Sequence, residues 1–127
     1  MTTPRNLDLQ CAKVGQEVAK INGLNKGVLN KVLGVLEGEG LYAMFVWLHA
    51  QSGGRKTRGG QTPYRCLSNR LSKFLEDESL LSRGRTLPFD RLQGLATDLD
   101  TLLFAIDLTR RALIYGRYHA EAGEVRR

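Results

Sequence analysis

Apolar residues recur every three or four positions along most of the chain. Leu7, Cys11, Val14, Val18 and Ile21 form one stripe, which predicts a helix that opens between Pro4 and Leu7. Asn22-Gly23 closes it, glycine being the common residue just past a helix end. Lys13 and Glu17, four apart, fall on its outer side. A second helix is expected over residues 24–37, with Val28, Leu29, Val32, Leu33 and Leu36 inward and "EGEG" at 37–40 as its break. Gly34 and Gly38 are four apart on it, a spacing that would let a neighbouring helix approach closely. Residues 41–50, "LYAMFVWLHA", predict a third helix whose core stripe is Leu41, Met44, Phe45 and Leu48. Val46 and Trp47 fall off that stripe, and a helix apolar nearly all round is either central or covered by a partner.

Residues 51–62, "QSGGRKTRGGQT", contain no apolar side chain and predict a loop. Thr62 and Pro63 then open a fourth helix, with Tyr64, Leu67, Leu71, Phe74 and Leu75 inward. Arg65, Asn69 and Lys73 line its outer face at successive i, i+4 spacing, with Arg70 beside them. A second loop over 76–88 and a short turn over 89–94 lead to the longest helix, about 96–120. Thr97 and Asp100 have the spacing of a capping box, and Leu99, Leu102, Leu103, Ile106, Leu113 and Ile114 are the expected core face. Asp107 and Arg111 make an exposed i, i+4 pair, and the tail "EAGEVRR" (121–127) is expected to fray. No run alternates with period two, so no strand is expected. The pattern predicts one all-α domain over residues 1–127, a compact bundle of five or six helices.

Charge changes this picture. The net charge is +6, and residues 40–75 hold no Asp or Glu. Arg55, Lys56, Arg58, Arg65, Arg70 and Lys73 lie in that segment and equal the whole excess. A concentrated positive segment on a balanced scaffold points to a polyanion partner, against the alternative of a solvated face that aids solubility. Arginine forks match phosphate oxygens in pairs, and glycine lets the backbone come close to them. The six cations are therefore the candidate nucleic-acid contacts. Most aromatic residues sit in core phase, with Trp47 the one plausible exposed platform, so backbone contact is favoured over sequence reading.

The catalytic inventory is thin. His49 and His119 lie far apart in sequence and near no cysteine, no group has metal-ligand spacing, and no serine has a nucleophile-elbow context. "GRKTRGG" at 54–60 resembles a phosphate-binding loop, yet Gly60 and Gln61 stand where Lys and Ser/Thr are required, after a helix instead of a strand. No catalytic residue, metal or cofactor is expected. Cys11 and Cys66 read as two buried free thiols, with a disulfide as the alternative. The polar N-terminus and the absence of a long apolar run favour a cytoplasmic chain with no membrane contact.

Several local patterns, in order, resemble the small α-helical subunit of type III-B CRISPR RNA-guided effector (Cmr) complexes. They are "LDLQCAKVGQEV" with Leu7 and Ala12; Gly40 and Leu41 opening a short apolar helix through Phe45 and Leu48; Tyr64, Leu67 and Leu71 followed by Phe74 and Leu75; and "LDTLLFAIDLTRRA" in the last helix. The chain departs from that pattern at Cys11, where the family usually has Arg, and in lacking a Trp in the last helix, its only Trp being Trp47. The resemblance implies a non-catalytic subunit acting in antiviral defence. It implies contact with guide and target RNA, and with other Cmr subunits and tandem copies of itself. Cys11 removes any reason to extend an RNA role to the first helix. Val46 and Trp47 are the expected protein-interface residues, or else core. Two other readings stand beside this one. A small helical DNA-binding protein would use the fourth helix for recognition, although the preceding loop is far longer than a helix-turn-helix turn. An adaptor without nucleic-acid contact would use Val46 and Trp47 as its surface.

Overall fold

The computed structural model describes residues 6–52, 62–81, 92 and 98–125. Five helices carry these residues: α1 (Leu7–Ala19), α2 (Lys26–Glu39), α3 (Leu41–Gln51), α4 (Pro63–Asp77) and α5 (Leu99–Val125). No strand occurs among the described residues, and the all-α bundle is the observed fold. The basic loop cations Arg55, Lys56 and Arg58, Thr97 and the short turn other than Leu92 lie outside the described residues.

Each helix start has a local cause. Asn6 caps α1 by accepting from the Leu9 N–H at 3.0 Å, and Asn25 caps α2 by accepting from Val28 at 2.9 Å. Thr62 caps α4 by accepting from Arg65 at 3.2 Å, with Pro63 in the first turn, where a missing N–H costs nothing. The start of α5 corrects the expected Thr97–Asp100 box. Asp98 supplies the cap, taking the Thr101 N–H at 3.3 Å and the Thr101 hydroxyl at 2.6 Å. Those two bonds hold the Asp98 carboxyl below its ordinary range.

The helix ends shift too. α2 runs through Gly38 and stops at Gly40, whose φ of +101° turns the chain directly into α3. α4 ends with Ser79 at φ +61° and the Leu80 N–H bonded to the Leu75 carbonyl at 2.8 Å, a Schellman closure. The expected fraying of the tail is corrected for residues 121–125, which remain helical. Lys26 Nζ reaches Glu121 Oε1 at 3.1 Å, and Arg117 Nη1 donates to Asn30 Oδ1 at 3.0 Å, so α2 holds the last turns of α5.

The helices close a ring, α1–α5–α2–α3–α4–α1, around one core. The predicted core stripes of α1 to α4 face inward, with Leu7, Ile21, Val28 and Tyr64 at its margin. On α5 the expected Leu102, Ile106, Leu113 and Ile114 pack in or against the core, and two positions differ. Leu99 and Leu103 are exposed, at 65% and 53%, and the inward face is Ala105, Leu108, Thr109, Ala112, Leu113 and Gly116. Ala112 and Gly116 are small where α1 comes closest, at Gly15. A Cβ on Gly15 would meet Tyr115 Cβ at 2.5 Å, Gly116 N at 2.7 Å and the Ala112 carbonyl oxygen at 2.8 Å. The close approach expected at Gly34 and Gly38 is absent; nothing lies within 4 Å of a Cβ at either.

Contacts fix the helix directions. Cys11 Sγ lies 3.7 Å from the Leu108 carbonyl and Val18 packs on Gly116, so α1 and α5 run parallel. Lys26 with Glu121 and Asn30 with Arg117 make α2 antiparallel to α5. Glu17 with Arg70 and Gly23 against Pro63 make α4 antiparallel to α1. Trp47 on Tyr64 brings the end of α3 to the start of α4. One end of the bundle therefore collects the C-terminal ends of α1, α3 and α5 and the N-terminal ends of α2 and α4. The chain leaves at Ser52 and returns at Thr62 there, so this is the loop end.

Candidate nucleic-acid interface

The helix directions sort the charges along the bundle. At the loop end stand Lys20, Lys26, Arg65, Arg70 and Arg117. Three described acids share this end: Glu17 and Glu121, each engaged by a cation, Arg70 at 2.7 Å and Lys26 at 3.1 Å, and Glu124 in the last turn of α5. At the opposite end stand Asp8, Glu37, Glu39, Glu76, Asp77, Glu78, Asp98 and Asp100. Among the described residues this sorting favours a polyanion at the loop end; Arg5, Arg83, Arg85 and Arg91, in the segments next to the acidic helix ends, lie outside them.

Of the six expected contact residues three are described, and Arg65, Arg70 and Lys73 do not form one row. Arg65 is exposed in the first turn of α4, at the loop end. Lys73 is exposed on the same outer face, but it lies two turns further on and one turn before the acids at 76–78. Arg70 departs from expectation. It is half-buried, donates through Nη2 to Glu17 and has Nε and Nη1 sealed from solvent without a partner. Its phase places it one step off the Arg65–Asn69–Lys73 row, turned toward α1, so it clamps two helices. Glu17 consequently faces Arg70 and does not serve Lys13. Arg55, Lys56 and Arg58 lie outside the described residues, in the segment that joins α3 to α4 at this end.

The aromatic assignment changes as well. Trp47 is half-buried, with its ring edge-on to Tyr64 at 5.9 Å and 84°. Val46 is 38% exposed and, with Tyr42 one turn earlier, points away from the bundle. Tyr118, near the end of α5, is the most exposed aromatic ring among the described residues.

Catalytic equipment is sparse among the described residues. They contain no cluster of three potential metal ligands, and His49 and His119 are both exposed. Cys11 is fully buried, and burial pushes its thiol up to about 11. Cys66 is only half-buried, which corrects its expected burial, and no disulfide joins the two cysteines. An apolar hollow of about 260 Å³ lies between Leu41, Leu92, Leu102 and Ile106, with Glu39 the one charged residue among the described lining. No helix is long and apolar enough to cross a membrane among the described residues.

No protein-family model, curated protein or solved structure matches the chain. Function is therefore read from the chain's own residues and their order along the sequence.

Sequence reasoning located the positive segment but missed the sorting of charge along the bundle. Lys20, Lys26 and Arg117 lie outside the acid-free stretch and join Arg65 only once the helix directions are known. Tyr118 was missed because most aromatic residues were assigned to core phase. Tyr115 packs on the core and donates its hydroxyl to Asp8 at 2.9 and 2.8 Å.

Proposed function

We propose that the chain is a non-catalytic small subunit of a type III-B CRISPR RNA-guided effector (Cmr) complex in antiviral defence. In this reading it binds the phosphate backbone of guide and target RNA at the loop end of the bundle. The observation that carries RNA contact is the axial separation of charge. Lys20, Lys26, Arg65 and Arg117 gather where the cationic segment with Arg55, Lys56 and Arg58 leaves and re-enters the fold, and most of the described acids stand at the far end. The order of sequence patterns from Leu7 to Ala120 supports the effector-subunit reading.

The chemistry is positioning without sequence reading. Arg65 and the loop cations meet phosphate oxygens, which carry no base identity. Lys73 contributes at the margin, weakened by the acids one turn away. Arg70 serves the interface indirectly by fixing α4 on α1. Tandem copies along one RNA raise the effective concentration of each weak contact. Val46, with Tyr42 beside it, offers the apolar side of α3 to a neighbouring subunit, while Trp47 stiffens the α3–α4 junction from within. The place of action is the cytoplasm.

Co-purification of the tagged chain from its own cell tests this reading. Small RNA recovered together with several larger proteins supports it. Recovery of the chain without RNA, or with DNA in place of RNA, overturns it.

A further inference from the structure

We propose that Tyr118, backed by Arg117, is a stacking platform for one unpaired nucleobase of a single strand whose phosphates lie on the loop end. The proposal rests on the RNA-binding reading and adds to it a contact with a base. Tyr118 is 57% exposed and takes no part in the core. A large ring held in water without packing contributes little to folding, so its position near a cationic surface calls for another use. The Arg117 guanidinium carbon lies 5.6 Å from the centre of the Tyr118 ring, a cation–π distance. Arg117 is itself fixed, because its Nη1 donates to Asn30 Oδ1 on α2 at 3.0 Å. A platform pre-positioned in this way loses little side-chain freedom when a ligand stacks on it. The guanidinium keeps further N–H donors for the phosphate beside the stacked base.

The place of Tyr118 selects the ligand. It lies in the last two turns of α5, at the end of the bundle that holds Lys20, Lys26 and Arg65. Bases within a duplex are already stacked, so an aromatic platform takes an unpaired one. Every base has a π-face, so the contact is tolerant of sequence and agrees with a surface that reads phosphates.

The test measures fluorescence anisotropy of the full chain with an oligouridylate of about twelve nucleotides, against an abasic strand of equal length. The expected result is that wild type prefers the base-bearing strand, and that Tyr118→Ala weakens its binding about 10-fold while leaving abasic binding and the salt dependence unchanged. Tyr118→Phe should restore the preference, because stacking needs the ring and not the hydroxyl. Equal affinity of wild type for both strands, or a Tyr118→Ala variant that binds oligouridylate as wild type does, overturns the platform and leaves the phosphate reading standing. Absence of salt-dependent binding to either strand overturns both. Unchanged helical circular dichroism in Tyr118→Ala shows that a weaker preference does not come from unfolding.

Discussion

Gly15→Ala places one methyl group where α1 and α5 touch. The new Cβ would stand 2.7 Å from the Gly116 nitrogen and 2.8 Å from the Ala112 carbonyl oxygen, both backbone atoms, and 2.5 Å from Tyr115 Cβ. None is the far end of a flexible side chain, so relief requires the two helices to separate. Overpacking of this kind costs about 1–3 kcal/mol, and backbone on two sides puts the case at the upper end. Alanine returns about 1 kcal/mol of helix propensity. The net expectation is a loss of about 2 kcal/mol, or a melting temperature lower by roughly 8 °C for a domain of this size. Gly34→Ala is the matched control. It sits in a helix interior with nothing within 4 Å of its Cβ, so it keeps the propensity gain and should stabilise by up to about 1 kcal/mol. Urea titration followed by circular dichroism measures both, with an unchanged slope showing that only stability has moved. A Gly15→Ala protein as stable as wild type, or more so, would refute the close α1–α5 approach at Gly15.

Arg70→Ala should cost about 1 kcal/mol by loosening α4 from α1, because its ion pair with Glu17 is partly exposed. It should leave the salt dependence of RNA binding unchanged, and a reduced dependence would return Arg70 to the interface. Cys11 gives a pH signature. Its folded thiol ionises at about 11 against an ordinary value of 9.0, so the unfolded chain loses its proton first as pH rises. Stability is therefore full below pH 9 and falls between pH 9 and 11, by on the order of 2 kcal/mol. Cys11→Ala should flatten that decline relative to wild type in urea titrations at about pH 8 and about pH 10.5, and an identical decline in both proteins would contradict the burial argument.

The sequence was most informative where one helix face is fully apolar. The stripes Val14–Val18, Leu29–Val32–Leu36, Met44–Phe45–Leu48 and Leu67–Leu71–Phe74 all turn inward, because burying them is the dominant gain on folding. The α5 face was misread only at Leu99 and Leu103, because leucine marks a core more loudly than alanine or glycine; Leu102, Ile106, Leu113 and Ile114 do pack on the core. Leu99 and Leu103 drew the stripe outward, whereas the packed face includes Ala105 and, against Gly15, Ala112 and Gly116. That packing follows from two helices far apart in the chain, which periodicity within either cannot report. Arg70 failed for a related reason. Its phase adjoins the Lys73 row, and only the placement of Glu17 on α1 decides which way the guanidinium turns. The acid-free segment at 40–75 was plain in the sequence, but the end-to-end sorting of charge needed the parallel run of α1 and α5.

The loop end is tested most directly by the salt dependence of RNA binding. With about four phosphates neutralised on a single strand, log K should fall against log salt with a slope near −3. Binding would then weaken about 50-fold between roughly 50 and 200 mM salt. Combined Arg55→Ala, Lys56→Ala, Arg58→Ala and Arg65→Ala substitutions should bring the slope toward zero by about 0.7 for each phosphate no longer neutralised. Lys73→Ala, beside the acids at 76–78, should change it less than Arg65→Ala does. An unchanged slope and affinity in the combined variant would contradict the account and leave the positive end of the bundle a solvated surface.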